Sequence, residues 1–289
     1  VDINKYDYNL DLNYLEDKIK FLKRRKHKLK AVIGVDFAGQ PCDWKGLRFL
    51  ANKYNFLLIN DNCHAMGAEI SKNKKYAIKY ADLVTHSYHP VKHITTGEGG
   101  SILTNSKKFI DICMSMRSHG VVKNKNMDEK NGLWYYEMRS LGYNFRLSDI
   151  QCSLGISQLY KLNKFIGLRK KIAKIYDNKL KNWENVKIPF VKKEISHAYH
   201  LYVPLFDFNN VKITKKEFFK KMKKSGINLQ VHYIPIYRQP YYKKNFKFNE
   251  KDYPNTNDYN KKCISLPIYP GLKNNDINYV CENIKRYFK

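Results

Sequence analysis

Short apolar runs at Ala31–Val35, Phe56–Ile59 and Leu83–His86 alternate with stretches whose apolar residues recur every three or four positions. Such alternation predicts buried strands joined by crossover helices, and strands joined in that way lie parallel. Leu12, Leu15, Ile19 and Leu22 follow a helical repeat behind Asp11 or Asn13 as the cap, and Trp44, Leu47, Leu50, Ala51 and Tyr54 follow another. Ser101–Thr104 adds a strand and Lys107–Met116 a helix. The expected class is therefore α/β, with a mostly parallel sheet covered on both faces.

At 289 residues the chain has room for one large domain or two ordinary ones. Ser148–Leu162 and Phe165–Leu180 read as long helices, and Val121–Lys130, rich in lysine and asparagine, as a mobile loop. After about Asn185 the pattern shifts. Tyr199–Phe206 and Leu229–Ile234 then read as strands, and Lys215–Lys224 and Asn275–Tyr287 as helices. The division expected is a large domain over 1–184 and a smaller α+β domain over 185–289.

Charge narrows the function less than its size suggests. Of 54 basic residues against 26 acidic ones, only nine are arginine, and the lysines are dispersed. Arginine is the side chain whose fork matches phosphate geometry. The net charge of +28 therefore describes a solvated surface that attracts small anions more than a nucleic-acid site. No apolar run is long enough to span a bilayer, and the six cysteines form no C-x-x-C pair or zinc spacing. A cytoplasmic enzyme without a metal, binding neither membrane nor nucleic acid, is expected.

In open α/β sheets ligands bind beyond the carboxyl ends of the strands. The second strand runs into Asn60-Asp61-Asn62-Cys63-His64. The third runs into Ser87-Tyr88-His89-Pro90-Val91-Lys92, followed by the glycine-rich Gly97–Gly100. A carboxylate, a hydroxyl and a lysine could thus converge on one pocket. Pyridoxal phosphate demands such a set: an amine, an acid facing its ring nitrogen, and donors for its phosphate.

The segments NDNCHAMGA, SYHPVKHITTGEGGSILTN, RSHG and LGYNFRLSDIQCSLGISQL resemble the DegT/StrS-type nucleotide-sugar aminotransferases, a pyridoxal-phosphate-dependent family of fold type I. HPVKHITTGEGG, VDFAGQPCD and LQVHYIPIY are most similar to its pseudaminic acid branch. The resemblance implies Lys92 as the lysine that binds the cofactor covalently and Asp61 as the acid on the pyridine nitrogen. It implies His64 near the ring's 3-oxygen, Ser87 as a phosphate ligand, and Asn144 reaching the phosphate of a neighbouring subunit in a homodimer. His89, His232 and Tyr233 fall where the family meets substrate, although structural roles suit them as well. The implied reaction moves an amino group from an amino acid, glutamate being expected, to the 4-keto carbon of a UDP-linked 6-deoxy-N-acetylhexosamine. A different nucleotide keto sugar would suit the same motifs. The resemblance also implies that the chain is N-terminally truncated relative to the family. It would lack a helix, the first strands, a phosphate-binding turn and an aromatic that stacks on the ring. Weak cofactor binding, aggregation, or a cofactor-poor remnant is the corresponding expectation.

Overall fold

A computed structural model describes residues 1–289, the side chain of Asp128 excepted. A helix α1 (Leu12–Arg24) begins at Asp11, whose side chain accepts from the N–H groups of Asn13 and Tyr14. The central sheet holds β1 (Ala31–Val35), β2 (Leu57–Asp61), β4 (Leu83–Ser87) and β5 (Gly100–Leu103), in the order β1-β2-β4-β5. β1 and β2 pair in parallel from Ala31↔Leu57 to Val35↔Asp61, and β2 meets β4 in parallel up to Asp61↔Thr85. β5 reverses direction and pairs antiparallel with β4, from Val84↔Leu103 to Ser87↔Gly100.

Helices α2 (Trp44–Tyr54) and α3 (Tyr76–Tyr80) are the crossovers. One face of the sheet is dry: Val32, Leu58 and Val84 join Leu15, Ile19, Trp44, Leu47 and Tyr76 in a single buried cluster. The expectation of cover on both faces is not met. Strand side chains alternate, and on the other face Ile33 is 57% exposed, with Val35 and Ile102 also exposed. Apolar periodicity reports that a residue wants cover without saying what provides it.

Beyond α4 (Lys107–Arg117) two expectations are corrected. The stretch expected to be a loop contains β6 (Val121–Val122), paired with β7 (Glu137–Met138), and α5 (Lys125–Asn131). That helix is polar on most sides, but the side chain of Asn124 accepts the Met127 N–H and Met127 is buried, which anchors it. Helices α6 (Asp149–Leu159) and α7 (Leu162–Leu180) follow, α6 opening on a capping box formed by Ser148 and Gln151.

The second correction concerns Tyr199–Phe206 and Leu229–Ile234. Only β10 (Leu205–Phe206) is a strand there, paired with β8 (Val186–Lys187), while β3 (Glu69–Ile70) pairs with β9 (Ile195–Ser196). Single bridges such as Tyr202↔Leu266 and Gln230↔Ser265 replace the expected ladders. The backbone groups find other partners: Arg169 Nη1 donates to the carbonyls of Tyr199, His200 and Ile268, and Ala198 and Leu201 donate to Gly39 and Ala38. With those partners taken, a regular strand is not needed.

Helices α8 (Lys215–Lys224), α9 (Pro240–Asn245), α10 (Pro254–Lys262) and α11 (Asn274–Phe288) complete the chain. Phe218, Met222, Ile277 and Ile284 share a buried cluster with Tyr176 and Leu180 of α7, so α7 supplies one wall of the C-terminal core. Among the described residues no helix is long and apolar enough to cross a membrane.

Candidate active site

Asp61 is the last residue of β2, where the chain leaves the sheet at its carboxyl end. Its Oδ1 accepts the Cys63 N–H at 3.1 Å, a turn that fixes the carboxylate at the strand end. Lys92 lies in the connection from β4 to β5. That connection is closed by Tyr88 N–H to the Gly99 carbonyl at 2.8 Å and Thr96 N–H to the Tyr88 carbonyl at 3.0 Å. Thr95 Oγ1 also donates to the Tyr88 carbonyl. Gly99 sits at φ +149°, and a Cβ there would come within 2.5 Å of Thr96 Oγ1 and 2.7 Å of Leu147, so the loop closes this tightly only around glycine. His93 and Ile94 are buried beneath it, and His93 Nε2–H donates to the Ala198 carbonyl at 3.0 Å.

A cavity of about 940 Å³ opens over these strand ends, and Asp61, Cys63, His64, Lys92, His232 and Tyr233 all line it. Segments separated by many residues in the chain thus meet at one place. The remaining wall is mainly apolar, from α1, β1 and the stretch after Tyr233. The other expected residues lie outside this lining. Ser87 ends β4 and accepts the His89 N–H through its hydroxyl at 3.4 Å. His89 is exposed and faces Glu98 at 3.8 Å. Asn144 is exposed and bridges Ser118 in the RSHG segment.

Burial sets the protonation of the cavity. It depresses Lys92 below the ordinary lysine value, while Cys63 and Asp61 pull the other way. His64 is pushed down to about 3, first by burial and then by Lys92, so it is a neutral imidazole at any ordinary pH. The Cys63 thiol is pushed up to about 12 by burial and by Asp61, which keeps it protonated and unreactive.

The sequence singles out His64, Tyr233 and the His197–His200 pair but does not show that two of these groups hold the first. The His200 ring lies 4.3 Å from the His64 ring, and the Tyr233 hydroxyl lies 3.3 Å from His64 Nε2. Phe37 approaches from the turn after β1, with ring centroids 6.2 Å apart. The pairing of His197 and His200 in the sequence was the available signal. His197 instead accepts the Tyr199 N–H on Nδ1, and only His200 reaches the cavity group. Among the described residues no group of three His, Cys, Asp or Glu side chains is arranged to hold a metal ion.

The donor set fits pyridoxal phosphate: a half-buried amine, a carboxylate at a strand end and a neutral imidazole share one cavity with room for a cofactor and substrate. Comparison with known proteins agrees. The profile of the DegT/DnrJ/EryC1/StrS aminotransferase family matches residues 1–285. The UDP-4-amino-4,6-dideoxy-N-acetyl-β-L-altrosamine transaminase of Campylobacter jejuni is 36% identical over 287 residues, covering 98% of this chain and 71% of that protein. The Helicobacter pylori aminotransferase PseC, involved in pseudaminic acid biosynthesis, superposes with a TM-score of 0.87 at 29% identity, over 99% of this chain and 72% of that one. The sugar aminotransferase Spr1654 of Streptococcus pneumoniae, solved in a pyridoxal phosphate form, shares the fold with a TM-score of 0.84 at 23% identity, over 99% and 74%. With the family profile spanning residues 1–285, relatives above 30% identity and the fold in agreement, the chain belongs to the DegT/DnrJ/EryC1/StrS family of pyridoxal-phosphate-dependent aminotransferases.

Proposed function

We propose that this aminotransferase moves an amino group from glutamate to the 4-keto carbon of a UDP-linked 6-deoxy-N-acetylhexosamine, in a cytoplasmic pathway of the pseudaminic acid type. The observation that carries the reading is the meeting of Lys92, Asp61, His64, His232 and Tyr233 around one cavity. The likeness to the C. jejuni and H. pylori enzymes narrows the sugar.

When bound, pyridoxal phosphate supplies an electron-withdrawing ring and an aldehyde carbon at which amines exchange. Lys92 would hold that carbon through Nζ, and its depressed pKa leaves more of the amine uncharged and able to bond there. Once displaced, Lys92 Nζ takes the proton from the α-carbon of the amino acid and later delivers one to C4 of the sugar. Asp61 supplies the negative charge that keeps the ring nitrogen protonated. His64, neutral and held between His200 and Tyr233, would face the ring's 3-oxygen as an uncharged imidazole. His232 is oriented by the Ser265 hydroxyl, 2.7 Å from its Nδ1, and with Tyr233 faces the sugar. Ser87 and His89 act from the strand end and the lysine loop. Asn144, exposed in this chain, serves the phosphate of a second copy in a homodimer. The outward apolar face of α6 beside it supports that assembly.

Borohydride reduction of the loaded protein tests the assignment. Attachment of cofactor to the chain is expected to vanish in Lys92→Ala. Asp61→Asn is expected to keep the attachment and to lose about a hundredfold or more in turnover with glutamate and the UDP-4-keto sugar. Attachment at another lysine would overturn the role of Lys92, and turnover only with a different nucleotide keto sugar would overturn the substrate.

A further inference from the structure

Behind the cavity, on the opposite face of β2, lies a carboxylate outside the mechanism above. Asp36 follows β1 and is completely buried. Its Oδ1 accepts the Cys42 N–H at 2.8 Å and the Trp44 Nε1–H at 2.7 Å. Its Oδ2 accepts from Asn60 Nδ2 at 3.2 Å, Asn62 Nδ2 at 2.8 Å and the Tyr76 hydroxyl at 2.7 Å. Its own N–H donates to the carbonyl of Asp61 at 3.1 Å. No cation pairs with Asp36 among the described ion pairs. Burial raises its carboxyl to about 6, with the bonds from Cys42, Tyr76, Trp44 and Asn62 opposing.

The geometry has a direction. Residues 60 and 62 point to one side of β2 and its extension, and residue 61 points to the other. The two neighbours of Asp61 are therefore tied to one oxygen beneath the sheet, while Asp61 itself faces the cavity. A buried carboxylate without a cation costs several kcal/mol that a well-packed apolar residue would not. An apolar residue would leave Asn60 and Asn62 without their common acceptor, along with the Cys42 N–H, the Trp44 indole and the Tyr76 hydroxyl.

We infer that Asp36 is a positioning residue for the cofactor acid: by holding Asn60 and Asn62 it fixes the strand end from which the Asp61 carboxylate reaches the ring nitrogen. The inference rests on the proposed role of Asp61. In Asp36→Asn the oxygen that faces Asn60 and Asn62 is replaced by an amide NH₂, which cannot accept from them. The strand end then loosens.

Two readouts test it. Without cofactor, hydrogen exchange at the Cys63 amide reports the Asp61 carboxylate that accepts it. Asp36→Asn is expected to speed that exchange by about tenfold or more while the amides of α8 stay unchanged. In protein loaded with pyridoxal phosphate labelled with ¹⁵N in the ring, the ring-nitrogen signal is expected to move toward its unprotonated position, and the cofactor to bind about tenfold more weakly. If Asp36→Asn does not fold, Asn62→Ala, which removes one tie and leaves the carboxylate ionised, is expected to show the same changes at smaller size. Unaltered Cys63 exchange in the variant that folds would overturn the inference. Asp61→Asn separates the two claims: if it leaves the ring-nitrogen signal in place, the role of Asp61 is wrong. If it moves the signal and the Asp36 or Asn62 variant does not, only the inference on Asp36 fails.

Discussion

The C-terminal core and the stretch from Leu133 to Tyr160 are both rich in large apolar side chains, yet they dispose of them in opposite ways. In the first, Phe206, Phe218 and Phe288 meet edge to face or tilted at ring separations of 4.9–6.1 Å, closed in by Tyr176, Leu180, Ile277 and Ile284. In the second, Leu141, Ile150 and Tyr160 are 87%, 84% and 86% exposed, and Gly155 is the only buried residue of α6. The difference is one of address. One set of side chains stabilises the chain by itself, and the other leaves its apolar area uncovered.

The sharpest way to break that contrast is to cut the same chemistry from both regions. Phe218→Ala is expected to cost about 3–5 kcal/mol in chemical denaturation, because a fully buried ring leaves a cavity. Ile150→Ser is expected to stay within about 0.5 kcal/mol and to lower self-association measured by sedimentation. A large loss of stability from Ile150→Ser would show that α6 is packed in solution within a single chain.

Acid should separate the regions next. His93 and His197, like His64, are buried with pKa values near 3 because burial disfavours their charged forms, and all three lie on the sheet side. The apolar side chains of the C-terminal cluster carry no imidazole, and His197 approaches it by stacking at 4.1 Å on the Tyr199 ring that packs against the cluster. An unfolded histidine takes up its proton near 6.5, so as the pH falls below that value the unfolded state is favoured, and the loss is complete only near 3. From pH 7 to 5.5 the three together cost about 4 kcal/mol. Asp36 works in the other sense: its raised carboxyl gains a proton in the folded state as the pH falls through about 6, returning about 1 kcal/mol, while His200, also buried and depressed, adds to the histidine cost. Trp44 reports the sheet core and Trp183 the C-terminal one. In chains retaining one tryptophan each, Trp44 fluorescence is expected to change at higher pH than Trp183 fluorescence, and coincident transitions would contradict the separation.

The smallest test uses two matching caps. Ser148 on α6 and Thr214 on α8 each form a capping box, and loss of either to alanine should cost its helix about 1 kcal/mol. α8 buries Phe218 and Met222, so Thr214→Ala is expected to shift the global denaturation midpoint. Ser148→Ala is expected to fray α6 in hydrogen exchange and leave the midpoint in place.

What could be read in the sequence follows the same division. The parallel strands and α1, α2, α4, α7, α8 and α11 were legible because each repeats its apolar residues at its own period. Of the residues expected at the site, Asp61, His64, Lys92, His232 and Tyr233 line one cavity, and Ser87, His89 and Asn144 do not. The contact of His200 with His64, the approach of Phe37 and the Asn60–Asp36–Asn62 tie were not legible. Their relation to the cavity depends on how Ala38–Gly39 docks against Ala198–Leu201 and on which face each side chain takes, neither of which leaves a local pattern. α5 escaped because one buried methionine and one asparagine cap are too little signal in a polar stretch.

The reversed strand β5 has an effect on how the active site can change. Had β5 run parallel to β4, the chain after Ser87 would have had to travel the length of the sheet to begin again at its far end. Because it turns back, the twelve residues Tyr88–Gly99 start and finish at the same rim, directly over the cavity. None of them is needed for transport across the molecule. The segment that carries Lys92 is therefore answerable to its own closure and to the His93–Ala198 contact beneath it, and not to any crossing of the sheet.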